Sequence, residues 1–243
     1  MKKLALAVMA VVLTACSITP SIPNYRALAK QVVPTNVELV AEVTNVFAET
    51  KSDVTYCSGT AITPTHIITA GHCLNGPANE ETRKFHFGEK GDLIKVRLQD
   101  GSIYFAKVVT SILTENTKTG MDAALLVLDE PVLKNIAVLG DSDSVRQGDF
   151  IAIVGNPFGA LNFSFNVGYV GFVDRELPDT GHFLQAYLES RGGNSGGAAF
   201  NDKGELIGIV VRSDRAGITF IVPLNEAIVA LAADLTAKEK CGS

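Results

Sequence analysis

Residues 191–200 read RGGNSGGAAF, four glycines around one serine in a region otherwise rich in strand-forming residues. Glycine in a sheet gives up packing and backbone order, so such a cluster marks a turn, a bulge or a close approach of another chain segment. Either the stretch is only a turn, or Ser195 is presented for reaction. A serine hydroxyl is a poor nucleophile unless a base takes its proton as it attacks, and a neutral imidazole suits that task. The four histidines, His66, His72, His86 and His182, all precede Ser195. His72 lies in ITAGHC, and Asp122 stands near the start of the apolar run MDAALLVL. A carboxylate shielded there can hold an imidazole in one tautomer and stabilise the imidazolium that forms. Asp129 is the other candidate, but it precedes Glu130-Pro131 at the end of the run and reads as solvated.

The order of these residues discriminates between chemistries. GNSGG formally fits the G-x-S-x-G nucleophile elbow of α/β-hydrolases, yet in those enzymes the acid and the histidine follow the serine. No helical pattern follows Ser195 either; Gly196, Gly197, Asn201, Asp202 and Gly204 predict a hairpin. The order His, Asp, Ser remains, which is that of chymotrypsin-like enzymes. CSGTAITPTHIITAGHC, MDAALLVL and GNSGG together resemble the trypsin-like serine proteases from residue 37 to about 232. GNPFG at 155–159, with GGNSGG and GELIGI, is most similar to the HtrA-like branch, without that branch's usual C-terminal peptide-binding PDZ domain.

The resemblance implies an all-β fold: two packed antiparallel β-barrels of the chymotrypsin-like kind, with a C-terminal α-helix. It implies a serine endopeptidase in which His72, Asp122 and Ser195 form a triad in the cleft between barrels and a polypeptide substrate passes through an acyl-enzyme. Attack on a carbonyl creates an oxyanion best met by backbone N–H groups, here those of Gly193 and Ser195. No cofactor or metal is expected. The pocket-lining positions fall just before the serine, at Glu189, Ser190 and Arg191, and on the strand after GELIGI, at Val211, Arg212 and Ser213. Glu189 would favour basic side chains unless Arg191 and Arg212 neutralise it or it points to solvent. Digestive and clotting relatives carry Asp before the serine, where it pairs with a newly freed N-terminus; Asn194 here implies activity without that proteolytic switch.

Cys57 and Cys73 bracket the segment that ends at His72, and in an exported protein they should pair. A zinc or redox role is the weaker reading, since there is no second CxxC and the other histidines lack ligand spacing. Cys241 has no evident partner if Cys16 is lipidated; a Cys16–Cys241 bridge is the competing arrangement.

Such residues need a scaffold and a compartment. With 243 residues, 47% hydrophobic and 19% charged, the chain can bury a substantial core, and a net charge of -5 offers no footprint for nucleic acid. The first residues, MKKLALAVMAVVLTAC, have two lysines and then an apolar run over 4–13, the layout of an export signal and too short to span a membrane. Leu13-Thr14-Ala15-Cys16 resembles the lipobox of bacterial lipoproteins, making 1–15 a signal peptide and Cys16 the lipidated membrane anchor. Ser17 after it favours the outer membrane, facing the periplasm; the alternative is an ordinary signal peptide and a secreted protein. Pro20, Pro23 and Pro34 make 16–36 read as a semi-extended tether, with a strand or coil packed on the domain as the alternative.

From residue 37 the chain breaks into short β-type runs at 37–47, 54–62, 66–70, 84–87, 93–98, 103–113, 123–128, 150–155, 163–173, 183–188, 206–211 and 218–222, with Asp100-Gly101 a hairpin turn. That spacing argues for a sandwich or barrel and against βαβ units. Residues 223–237 read as helix, with Ile228, Leu231, Ala232 and Leu235 at helical spacing. The peptidase domain is thus expected over 37–236, with a first barrel at about 37–135, a second at about 136–222, and the helix last. The oligomeric state is not legible. The competing functional readings are a catalytically silent peptide-binding envelope lipoprotein and a structural lipoprotein with an incidental serine.

Overall fold

Short β-branched runs punctuated by Gly, Asn, Asp and Pro favour strands over helices along most of the chain. A computed structural model describes residues 24–45, 50–75, 83–86, 93–113, 121–177, 181–214 and 216–241; the export signal and Cys16 lie outside them. The first group of strands is β1 (Asn36–Asn45), β2 (Thr50–Ala61), β3 (His66–Thr69), β4 (Arg83–His86), β5 (Leu93–Arg97), β6 (Ile103–Leu113) and β7 (Asp122–Leu128). They pair in the order β2-β3-β7-β6-β5-β1, and β1 returns to β2 to close a six-stranded antiparallel barrel, with β4 appended to β1. The hairpin expected at Asp100-Gly101 joins β5 to β6, with Gly101 at φ +85°.

The second group is β8 (Val138–Leu139), β9 (Phe150–Gly155), β10 (Ser164–Leu177), β11 (Gly181–Tyr187), β12 (Ala198–Phe200), β13 (Glu205–Ser213) and β14 (Ile218–Pro223). The order β12-β9-β10-β11-β14-β13 closes through β12–β13 into a second six-stranded barrel, and β8 lies parallel to β13 outside it. The fold is therefore the expected chymotrypsin-like pair of barrels. Closure leaves few exposed strand edges.

The barrels meet across strands that are apolar on both faces. In β9, Ile151 and Ile153 point into the second barrel's core, while Ala152 and Val154 belong to the larger core that runs into the first barrel. β13 behaves likewise, with Ile207 and Val210 inward and Leu206, Ile209 and Val211 on the shared side. The irregularity opposite Ala199 and Phe200, between Leu206 and Gly208, shifts the alternation. Continuous apolar runs such as FIAIVG and ELIGIVV are the sequence signature of strands buried on both sides.

Two helices seal this shared core. The segment read as a tether is, in its described part, a helix: α1 (Tyr25–Val32), followed by a 3₁₀ turn at Val33–Thr35. Asn24 caps it by accepting from Ala27 N–H at 3.1 Å. Leu28 and Val32, one turn apart, form an apolar stripe buried in the core, and the prolines flank that stripe without interrupting it. Tyr25 stacks on Phe150 of β9 with ring centroids 5.5 Å apart, and Gln31 donates to the Lys203 carbonyl at 3.4 Å. The last helix, α2 (Leu224–Cys241), runs beyond the expected end and buries a stripe rotated from the expected one: Leu231 faces the core as expected, with Leu224 and Ala227, whereas Ile228 is 42% exposed. Pro223 ends β14 and so sets the phase of the helix after it.

If α1 is part of the folded unit, Leu28→Ala should lower stability by about 2–3 kcal/mol, read as an earlier midpoint in urea unfolding. An unchanged midpoint would mean that the helix is not seated on the core.

Candidate active site

The first barrel supplies a histidine and a carboxylate already in contact. After β3 the chain turns through a 3₁₀ segment, Gly71–Asn75, that carries His72. β3 pairs with β7, and Thr69 lies opposite Ala124, so the continuation of β3 reaches the start of β7 at Asp122. His72 N–H donates to Asp122 Oδ1 at 2.9 Å, and its ring Nδ1 lies 2.6 Å from Oδ2. A carboxylate only accepts, so Nδ1 bears a proton and donates it to Asp122, which leaves Nε2 as the ring nitrogen on the far side. Asp129 does not share this role: it sits at the exposed end of the run, paired with Lys107 at 2.6 Å.

The second barrel brings Ser195 to the same place by its main chain. The Ser195 carbonyl accepts from Ser58 N–H on β2 at 2.7 Å and lies 3.6 Å from Cys73 Sγ, the residue after His72. Cys57 and Cys73 form the expected disulfide. It ties β2 beside Ser58 to the turn beside His72. The glycines explain how the chain comes so close. A Cβ on Gly196, which has φ +81°, would meet Thr69 Oγ1 at 2.1 Å and the Ser58 carbonyl at 2.2 Å.

The residues before Ser195 make a tight turn in which Asn194 N–H donates to the Arg191 carbonyl at 3.0 Å. Gly193, third in the turn, has φ +97°, while Gly192 is outside the left-handed region; that combination is a type II turn. A side chain at Gly193 would strike the Asn156 carbonyl, 2.2 Å from its Cβ. Among the described residues, neither Gly193 N–H nor Ser195 N–H donates to a protein acceptor.

The pocket candidates divide. Glu189 is 62% exposed and forms an ion pair with Arg191, so solvent and a neighbouring cation both meet its charge. Ser190 is buried within 3.2 Å of Asn194 Nδ2. On β13, Val211 is buried, Ser213 half-buried and Arg212 exposed. The remaining histidines serve elsewhere: His66 sits between the Thr63 and Thr65 hydroxyls, and His182 pairs with Asp174 at 2.6 Å. The side chain of His86 is outside the described residues. Cys57, His72 and Cys73 have ligand-type atoms within 4.8 Å of one another, but both sulfurs are in the disulfide and cannot act as thiolates.

Sequence reasoning passed over two buried residues, Ser58 and Asn156. Asn156 Nδ2 lies within 3.0 Å of Asn36 Oδ1 and 3.1 Å of the Val37 carbonyl, and Asn156 Oδ1 accepts from Phe163 N–H at 2.9 Å. Ser58 Oγ touches both Asn156 and Gly193. The available signals were adjacency to Cys57 and membership of GNPFG, neither of which reveals a hydrogen-bond partner.

A model of the trypsin-like peptidase domain matches residues 57–209. A probable periplasmic serine protease do/HhoA-like of Haemophilus influenzae is 36% identical over 169 residues, covering 66% of this chain and 35% of that protein. The periplasmic serine endoprotease DegP of Salmonella typhimurium is 35% identical over 148 residues, 58% of this chain and 30% of its own length. The chain thus spans about a third of the length of the curated relatives it matches. Among solved structures, the HtrA-type protease AlgW with a tripeptide superposes with a TM-score of 0.65 at 25% identity, covering 87% of this chain and 63% of that one.

The disulfide closes a loop with a sequence separation of 16 residues. Replacing Cys57 and Cys73 together by serine should cost about 3 kcal/mol of stability. Thermal melts of the double variant and of wild type under reducing conditions should then coincide, both below the oxidised protein.

Proposed function

Because the chain belongs to the trypsin-like peptidase domain family, we propose that it is an exported serine endopeptidase cutting flexible or unfolded polypeptide through Ser195. The observation that carries this reading is the doubly bonded His72–Asp122 pair beside the main chain of Ser195. In the proposed reaction Ser195 Oγ attacks the scissile carbonyl carbon while its proton passes to His72 Nε2. Asp122 keeps Nδ1 protonated and stabilises the imidazolium. The carbonyl oxygen, now negative, takes hydrogen bonds from Gly193 and Ser195 N–H. Collapse of the tetrahedral species breaks the C–N bond, and the amine leaves with the proton from His72. Water, deprotonated by the same imidazole, then hydrolyses the acyl-enzyme and restores Ser195. The turn geometry at Gly193 and the two N–H groups without protein acceptors support the oxyanion assignment.

A peptide substrate accords with the tripeptide in the similar HtrA-type structure. Selection for a basic side chain through Glu189 has little support, because Arg191 already meets that charge. Labelling with a fluorophosphonate tests the chemistry: wild type should label and Ser195→Ala should not, while Asp122→Asn should lose about 10³–10⁴-fold in kcat. Tight peptide binding by a folded protein that neither labels nor turns over would instead identify a silent binding module.

The names of the similar proteins, periplasmic serine proteases, and the N-terminal export pattern support a place in the bacterial envelope. We assign Cys16 as its lipidated anchor. Radiolabelled palmitate fed to expressing cells should enter the wild-type protein and not Cys16→Ser, which should move from the membrane to the soluble fraction.

A further inference from the structure

Gly192 and Gly193 stand side by side in the turn that carries the first proposed oxyanion donor, and a Cβ on Gly192 would meet nothing within 4 Å. Neither residue has a side chain to bias its φ, so the local sequence leaves the 192–193 peptide able to face either way. Its orientation has to come from outside the turn. Phe158 N–H donates to the Gly192 carbonyl at 2.6 Å, from a residue held at φ +61°. The Ser58 hydroxyl donates to the Gly193 carbonyl at 2.7 Å. The C=O and N–H of a trans peptide point in opposite directions. A Gly192 carbonyl fixed on Phe158 therefore sends Gly193 N–H the other way, and a Gly193 carbonyl fixed on Ser58 stops the next peptide from rotating in compensation.

We propose that Ser58 is a positioning residue for peptide hydrolysis: through Gly193 and Asn156, its hydroxyl locks the 191–194 turn with Gly193 N–H facing the carbonyl under attack. Ser58 is completely buried, and its oxygen uses its full bonding capacity. The proton goes to Gly193, and the lone pairs take Asn156 N–H at 2.9 Å and Asn156 Nδ2 at 3.0 Å. The two Nδ2 hydrogens of Asn156 are shared among Ser58, Asn36 and Val37, and its Oδ1 accepts from Phe163 N–H, so the turn is braced against both barrels. The Ser58 main chain meanwhile holds the Ser195 carbonyl. One residue of β2 thus grips both residues proposed as oxyanion donors. Ser58 reaches the reaction only through the groups it holds.

This role rests on the assignment of Ser195 and Gly193 above, and the experiment separates the two. Ser58→Ala, with Ser58→Gly as a second variant if the first does not fold, is compared with wild type once melts show a folded protein. On a flexible peptide, kcat should fall at least about tenfold while KM stays within about twofold. Affinity for a peptide boronate, whose tetrahedral adduct puts an oxygen where the oxyanion forms, should fall in proportion to kcat/KM. Amide exchange over 191–195 should quicken while that of 224–241 is unchanged. Wild-type turnover and boronate affinity in a folded variant overturn the proposal, as does a loss confined to KM. A wild-type protein that neither cleaves peptide nor takes the boronate overturns the parent assignment instead, and the exchange comparison still decides whether Ser58 holds the turn.

Discussion

A single main-chain hydrogen bond, from Ser58 N–H to the Ser195 carbonyl at 2.7 Å, joins a strand of the first barrel to the serine of the second. Each barrel is closed and could satisfy its own backbone, so nothing in the strand pairing fixes how one sits on the other. That bond is one of the contacts that do, and the disulfide beside it steadies the first barrel's side of it. Cys57 precedes Ser58, and Cys73 follows His72, so one covalent link joins the strand that holds the Ser195 carbonyl to the turn that carries His72. The approach tolerates no side chain at Gly196, which is why the serine lies in a glycine-rich stretch.

Around this contact lies a buried polar layer that a purely apolar interface would lack. Asn36, Ser58 and Asn156 satisfy one another at the barrel junction. Nearby, Glu38 of β1 accepts from Thr55, from Arg97 Nε at 3.1 Å and from Asn162 Nδ2 at 3.1 Å. Apolar surfaces can slide over one another at modest cost, whereas a buried polar group displaced from its partner costs about 1–3 kcal/mol. A layer of such groups therefore selects one register between the barrels out of many that would bury similar apolar area. The 191–194 turn hangs from this layer through Ser58.

The parts legible in the sequence were those whose meaning is local or carried by order. His72 and Asp122 could be paired because the carboxylate opens an apolar strand, and the cysteines because they bracket the histidine. The hairpins at Asp100-Gly101 and after Phe200 announced themselves through turn residues. The rest depended on distance in the chain. Three prolines made the segment before β1 look extended, though Leu28 and Val32 lie on one helical face between them. In α2 the apolar residues nearly encircle the helix, so periodicity alone could not choose between Ile228 and Ala227; packing against the barrels chose Ala227. Ser58 and Asn156 are small polar residues whose partners lie 135 and 120 positions away, at Gly193 and Asn36.

Helix α1 leads directly into the first strand of the first barrel, yet Tyr25 rests on Phe150 and Gln31 reaches Lys203, both in the second. The covalent connection between the barrels is thus doubled by a strap running the opposite way. Swinging the two halves apart as on a hinge would require peeling that strap off first. Loss of structure in one half therefore strips a helix from the other, which couples the unfolding of the two.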